Sequence, residues 1–143
     1  MLGNLPISKR KRGRILRVGG VVAVRRRALA RAGEDAAVEA LRLRGYRVLA
    51  RNVRLRRGEL DVVAEEGGDL VFVEVKSRRS EAYGTPAEAV GFRKQRTLVR
   101  LAAAYLVRKG LRDRACRFDV VEVRLDGAGR PVRVDVLRDA FRP

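Results

Sequence analysis

Residues 58–76 read GELDVVAEEGGDLVFVEVK, two runs rich in β-branched residues on either side of Gly67-Gly68, a dipeptide suited to a two-residue hairpin turn. A hairpin symmetric about that turn sets Asp61 opposite Glu74, Val63 opposite Phe72 and Glu59 opposite Lys76. Side chains alternate along a strand, so these six share one side of the ribbon. Leu60, Val62, Ala64, Val71, Val73 and Val75 then form a second, wholly apolar side, which is expected to be buried. Two carboxylates facing each other across a ladder, roughly 5 Å apart, repel unless a cation or a shared proton compensates. Lys76 supplies one charge, and a bound divalent cation would supply more. Oxygen ligands of this kind suit Mg²⁺ or Mn²⁺ better than zinc. The same spacing also fits a polar sheet end neutralised by Lys76, and a one-residue bulge would undo the facing pair.

An Asp followed by a short hairpin and then Glu74-Val75-Lys76 resembles the site of the PD-(D/E)xK nuclease superfamily, an Asp followed by an acidic-x-Lys triplet. A longer ordered set is similar to the YraN-like family, a bacterial branch of that superfamily related in fold to archaeal Holliday-junction resolvases. The set comprises Gly33-Glu34-Asp35-Ala36-Ala37, Gly58-Glu59-Leu60-Asp61, Phe72-Val73-Glu74-Val75-Lys76 with Arg78, Gly84-Thr85-Pro86 and Arg117-Phe118-Asp119-Val120-Val121. The resemblance covers about residues 28 to 141. It implies an α/β, restriction-endonuclease-like αβββαβ core, with a mixed central sheet flanked by helices, here with an extra C-terminal strand. It also implies Asp61, Glu74, Lys76 and Glu34 as catalytic residues. Asp61, Glu74 and the Val75 carbonyl would be the ligands of a magnesium or manganese ion.

Composition agrees with a folded, basic protein. The 143 residues suffice for one domain with a real core, and 34 Lys and Arg against 17 Asp and Glu give a net charge of +17. Such a charge favours a polyanion: nucleic acid, here most naturally DNA, or an anionic surface. Arg outnumbers Lys 29 to 5, a bias that a GC-rich genome also produces, so the arginine count itself carries no argument. One cysteine, Cys116, permits no internal disulfide and suits a reducing cytoplasm. The absence of histidine excludes Ser-His-Asp and Cys-His hydrolases, His-based nucleases and ordinary His-containing zinc sites within the chain. Carboxylate and lysine chemistry is what remains. No apolar run is long enough for a transmembrane helix, and no membrane partner is expected.

Residues 1–27 hold nine basic and no acidic residues, and read as a flexible basic arm ahead of a nuclease-like domain spanning 28–143. A helix is expected to begin near Arg31 to Gly33 and to end at Gly45, with Glu34 on its inward stripe beside Ala37, Val38 and Leu41. Tyr46 to Arg56 reads as a first strand whose alternation slips near Arg51-Asn52. A helix from about Pro86 or Phe92 to Lys109 carries Lys94, Leu98, Leu101 and Tyr105 inward and Arg93, Arg96 and Arg100 outward. Lys94 is a charge on an apolar stripe and should reach a polar site or snorkel outward. Cys116 to Leu125 and Pro131 to Leu137 complete an αβββαββ order, in which Asp119 and Glu122 read as peripheral.

Arg78 and Arg79, just beyond the Glu74-Val75-Lys76 triplet, are the expected phosphate contacts, with Lys94 and Gln95 as further nucleic-acid contacts and Tyr83 as a candidate for base stacking. The superfamily's RecB-like branch carries a Tyr four residues after its Gln. Here position 99 is Val, which argues against a helicase-coupled nuclease. The expected activity is metal-dependent hydrolysis of DNA phosphodiester bonds, in branched or repair intermediates. The alternative is a nuclease-fold protein that binds nucleic acid without cutting it, or a subunit of a DNA-processing complex. Ribosomal or membrane-surface association through charge alone ranks last. Cutting two opposed strands would favour a homodimer.

Overall fold

The computed structural model describes residues 4–79 and 90–142, with side chains from Gly20 onward. Its elements run α1 (Asn4–Leu43), β1 (Arg47–Leu55), β2 (Gly58–Glu66), β3 (Asp69–Arg79), α2 (Phe92–Lys109), β4 (Cys116–Leu125) and β5 (Pro131–Phe141). This is the αβββαββ order expected: a five-stranded mixed sheet with two helices. Tyr83 and Gly84-Thr85-Pro86 lie outside the described residues. The chain divides into two units, Met1–Arg31 and Ala32–Pro143. In the first, α1 begins at Asn4 rather than near Arg31, and Val21, Val22 and Val24 are exposed. A basic run without apolar periodicity gave no signal for helix there. All that follows concerns the second unit.

The sheet order is β1-β2-β3-β4-β5. Gly67 and Gly68 both take positive φ (58° and 87°), as a turn matched to the strands' twist requires. That turn fixes Val63 opposite Phe72 and Ala64 opposite Val71, the register expected from the sequence. β3 and β4 are parallel, Phe72 pairing with Phe118 and Lys76 with Glu122, so a crossover is needed and α2 provides it. Gly110, in the left-handed conformation (φ 68°), stops α2, and the Leu111 N–H reaches back to the Leu106 carbonyl at 2.8 Å.

Both faces of the sheet are buried. Ala37, Val38 and Leu41 of α1 cover Val62, Ala64, Val71, Val73, Val121 and Val123. On the other face, Leu98, Leu101, Ala102 and Tyr105 of α2 cover Val63, Leu70, Phe72, Phe118 and Val120. α1 meets β3 through Gly33, where a Cβ would lie 2.1 Å from Ser77 Oγ.

The expected two-sided pattern fails at one residue: Leu60 packs with the α2 cluster, not with Val62 and Ala64. Both ladders are irregular next to it, the β2–β3 pairing ending at Val62–Val73. Asn52 has φ 51°, and the β1–β2 pairing runs through Arg51–Val62 and Val53–Leu60 without a regular Asn52–Asp61 pair. The register itself shifts earlier, between Val48 and Ala50, so the slip anticipated near Arg51-Asn52 is split between two places.

Two acids expected at the periphery are fully buried. Asp119 accepts hydrogen bonds from Tyr46 Oη (2.8 Å), Arg117 Nε (3.1 Å) and the Asp139 N–H (2.9 Å), while Arg117 also donates to Glu66 at 2.6 Å. Burial and the bond to Asp119 raise the Tyr46 pKa. Burial works against the Arg117 cation, but its bonds to Asp119 and Glu66 prevail and hold it firmly charged. Glu122 lies 3.1 Å from Arg124 and 3.6 Å from Arg78. Neither burial could be read from one strand, because the covering residues belong to neighbours distant in sequence.

Candidate active site

Asp61 and Glu74 occupy the β2 and β3 strands where their ladder opens. The pairing ends at Val62–Val73, and one residue further on Asp61 Oδ2 accepts the Val75 N–H at 2.9 Å. The aspartate side chain thus replaces a ladder acceptor and is fixed beside Glu74. Burial, then the Glu74 charge, push the Asp61 carboxyl up to about 7, against the pull of the Val75 N–H, with Glu34 adding a smaller push. A pair of acids this close shares a proton or a cation near neutral pH.

Glu74 is 5% exposed. Its Oε1 receives two ammonium groups, Lys76 Nζ at 3.3 Å and Lys94 Nζ at 3.4 Å. Its Oε2 is buried with no hydrogen-bond partner, which is costly for a carboxylate oxygen. Lys94, the charge on the inward stripe of α2, therefore reaches a polar site, one of the two outcomes open to it from the sequence. Phe72 anchors the strand beneath, its ring 5.7 Å from those of Tyr105 and Phe118.

Glu34, on the inward side of α1, comes within 4.0 Å of Arg51, which pairs more closely with Asp35 at 2.7 Å. With its amide oriented to donate, Asn52 lies 3.2 Å from Glu34 Oε2 and 3.1 Å from Glu59 Oε1. The backbone irregularity opposite Asp61 thus brings an amide between two further acids. The sequence marked this spot only as a break in alternation. The visible signal was the residue type, since Asn tolerates positive φ better than other non-glycine residues.

The other expected contacts are placed differently. The Gln95 carboxamide is half-buried and donates to the Val90 carbonyl at 2.9 Å, so it holds the entry to α2. Arg78 is drawn to buried Glu122, whereas Arg79 is exposed. Cys116 is half-buried, and burial followed by the Asp69 charge raises its thiol pKa, which makes it a poor nucleophile.

No group of three or more His, Cys, Asp or Glu among the described residues is disposed to hold a metal ion. A set of two carboxylates and one backbone carbonyl still suits magnesium, which characteristically keeps several waters and takes one or two protein carboxylates. The orphaned Glu74 Oε2 beside Asp61 is an acceptor that such an ion would satisfy. No helix among the described residues is long and apolar enough to cross a membrane.

A sequence model of the family described as "Uncharacterised protein family UPF0102" matches residues 33–123, a span that contains α1 from Gly33, the whole hairpin and most of β4. The chain is 55% identical over 115 residues to a UPF0102 protein of Symbiobacterium thermophilum, covering 80% of this chain and 97% of that protein. It is 49% identical over 116 residues to one of Moorella thermoacetica, with 81% and 97% covered. A UPF0102 protein of Caldicellulosiruptor saccharolyticus is 42% identical over 116 residues, with 81% and 98% covered.

Proposed function

The chain belongs to the UPF0102 family, and for it we propose metal-dependent hydrolysis of DNA phosphodiester bonds, with branched or repair intermediates as substrates. The observation that carries the reading is the pair Asp61 and Glu74: adjacent, largely buried, one oxygen unpartnered, with Lys76 on the same carboxylate. Few purely structural needs are met by driving two acids together, whereas a divalent ion acting on a phosphodiester is commonly held by such a pair.

Asp61, Glu74 and the Val75 carbonyl would hold Mg²⁺ or Mn²⁺, which when bound supplies Lewis acidity toward a phosphate ester. Val75 contributes from both sides, its N–H fixing the Asp61 carboxylate. Lys76, next to Glu74 Oε1, orients an attacking water or stabilises charge growing on the scissile phosphate. Lys94 approaches the same Glu74 oxygen from the crossover helix. Glu34, tied through Asn52, holds a water at the edge of the site. Exposed Arg79, with Arg78 behind it, guides the strand; phosphate contacts of this kind set affinity and not sequence choice.

A second reading, binding without cutting, is favoured by one observation. Lys76 and Lys94 already bring two positive charges against the two carboxylates of Glu74 and Asp61, so the pair is compensated without a metal. The test is cleavage of labelled linear, flapped and four-way DNA with Mg²⁺, Mn²⁺ or EDTA, using wild type, Glu74→Gln and Lys76→Ala. Metal-dependent cutting that both substitutions abolish is expected. Binding of every substrate with no cutting in any metal would replace this reading with the second.

A further inference from the structure

The arginines of the Ala32–Pro143 unit are not distributed evenly between paired and unpaired. Arg47, Arg51, Arg54, Arg117, Arg133 and Arg138 on the sheet, and Arg114 in the connection before β4, each lie within ion-pair distance of a carboxylate. Arg56 and Arg57 of the β1–β2 turn, and Arg93, Arg96 and Arg100 on the outer side of α2, are exposed, and no ion pair joins any of them to an acid among the described residues. The 18 residues of α2 contain no Asp or Glu. Leaving these charges together costs repulsion that the seven paired arginines are spared.

They also line a continuous surface. A groove of about 410 Å³ runs between the β1–β2 turn and α2, lined by Arg56, Arg57 and Arg100 over an apolar floor that includes Leu55 and Leu101. Arg100 also borders the neighbouring depression, which holds Phe92 and Arg96. Phe92 is 73% exposed, an unusual position for a large aromatic ring, with the Arg96 guanidinium 5.8 Å from its centroid. From Arg100 to Phe92 is about 12 Å along the helix, roughly three to four nucleotide steps of a B-form strand. The track ends at the turn of α2 from which Lys94 reaches Glu74.

We propose that the outer face of α2 and the β1–β2 turn form a second nucleic-acid track, on which Arg56, Arg57, Arg96 and Arg100 hold phosphates and Phe92 stacks on an unpaired base. It is separate from the phosphate contacts beside Glu74. Charge complementarity selects a polyanion, and an exposed ring flanked by guanidinium groups selects one with bases. The proposal rests on the nucleic-acid part of the reading above and does not require that the site cut.

The test measures binding of the full chain to labelled single-stranded and duplex DNA in EDTA across a range of salt, so that cleavage plays no part. Each lost phosphate contact lowers the slope of log K against log salt by about 0.9 for duplex. Arg56→Ala/Arg57→Ala/Arg100→Ala should therefore flatten it by about 2.7. The paired control Arg47→Ala/Arg133→Ala should leave it unchanged, and Phe92→Ala should weaken single strands several-fold more than duplex. An unaltered slope in the triple variant, with its fold verified by circular dichroism, overturns the track. So does a triple variant that loses only binding to vesicles containing phosphatidylserine. If the slopes behave as expected while no substrate is cut in Mg²⁺ or Mn²⁺, the hydrolytic reading alone fails.

Discussion

Lys94 of α2 lies 3.4 Å from Glu74 Oε1, the same oxygen that Lys76 of β3 approaches at 3.3 Å. One carboxylate oxygen is thus doubly neutralised while its twin is buried and unpartnered, so Glu74 is loaded from one side and open on the other. The two lysines differ in what they are attached to. Lys76 is fixed by the strand that carries Glu74 itself, whereas Lys94 comes from the crossover helix and ties it to the sheet at the site.

That difference predicts different phenotypes. Lys94→Ala removes a half-exposed ion pair, worth about 0.5–1 kcal/mol, or roughly 2–4 °C in melting temperature. It also removes a cation that competes for Glu74, so divalent-ion affinity should rise. Lys76→Ala should abolish cutting. Thermal melts and titration with Mn²⁺ separate the two, and weaker metal binding in Lys94→Ala would show that Lys94 does not compete.

The Asp61 carboxyl gives a pH dependence of defined sign. With its pKa pushed up to about 7 from an ordinary 3.8, the folded protein binds the proton more tightly than the unfolded chain. Its stabilising contribution is complete below about pH 4 and is lost as pH rises through about 7. In EDTA, the melting temperature should fall between about pH 4 and 7.5 and level off above, and Asp61→Asn should flatten that fall. Adding Mg²⁺ should restore stability at the alkaline end and do little at the acid end. A melting curve indifferent to Mg²⁺ at both ends favours the non-catalytic reading.

The Asp119 network should matter for folding alone. Tyr46→Phe deletes one buried hydrogen bond, a cost of about 1–1.5 kcal/mol. Asp119→Ala strands the Arg117 guanidinium with Glu66 and Asp69 only and should cost about 3–5 kcal/mol. Urea denaturation measures both, and Tyr46→Phe should retain full cutting. Loss of cutting without loss of stability would place this network in the site.

The hairpin was legible because its turn residues and its period two are local facts. Gly67-Gly68 fixes the register as far as Val62–Val73, and the Val75 N–H bond to the Asp61 carboxylate, beyond the paired ladder, completes the placement of Asp61 beside Glu74. The inward stripe of α2 was legible for the same reason, and Lys94 stood out on it as a charge in need of a partner. What could not be read is what depends on strand order. Asp119 is held by Tyr46 and β5 and Glu122 lies between β3 and β5, and the parallel β3–β4 pairing that brings Lys76 beside Glu122 has no turn to announce it. Leu60 changed sides where both neighbouring ladders are irregular, opposite Asn52 on one side and beyond Val62–Val73 on the other, and neither irregularity is a local fact of β2.

Asn52 combines two properties that substitution can separate. Its φ of 51° favours glycine over any residue with a Cβ, and its amide reaches Glu34 and Glu59. Asn52→Ala loses both the amide and the tolerance of positive φ, and should cost about 1 kcal/mol or more. Asn52→Gly keeps the backbone at ease and deletes only the amide, so its melting temperature should stay near that of wild type. If the amide holds Glu34 for the site, Asn52→Gly should still lower the cutting rate while leaving DNA affinity in EDTA unchanged. Asn52→Asp adds a fourth negative charge near Asp61 and should push the pH-dependent loss of stability to higher pH. A glycine variant with wild-type cutting would confine Asn52 to shaping the strand, and would remove Glu34 from the site with it.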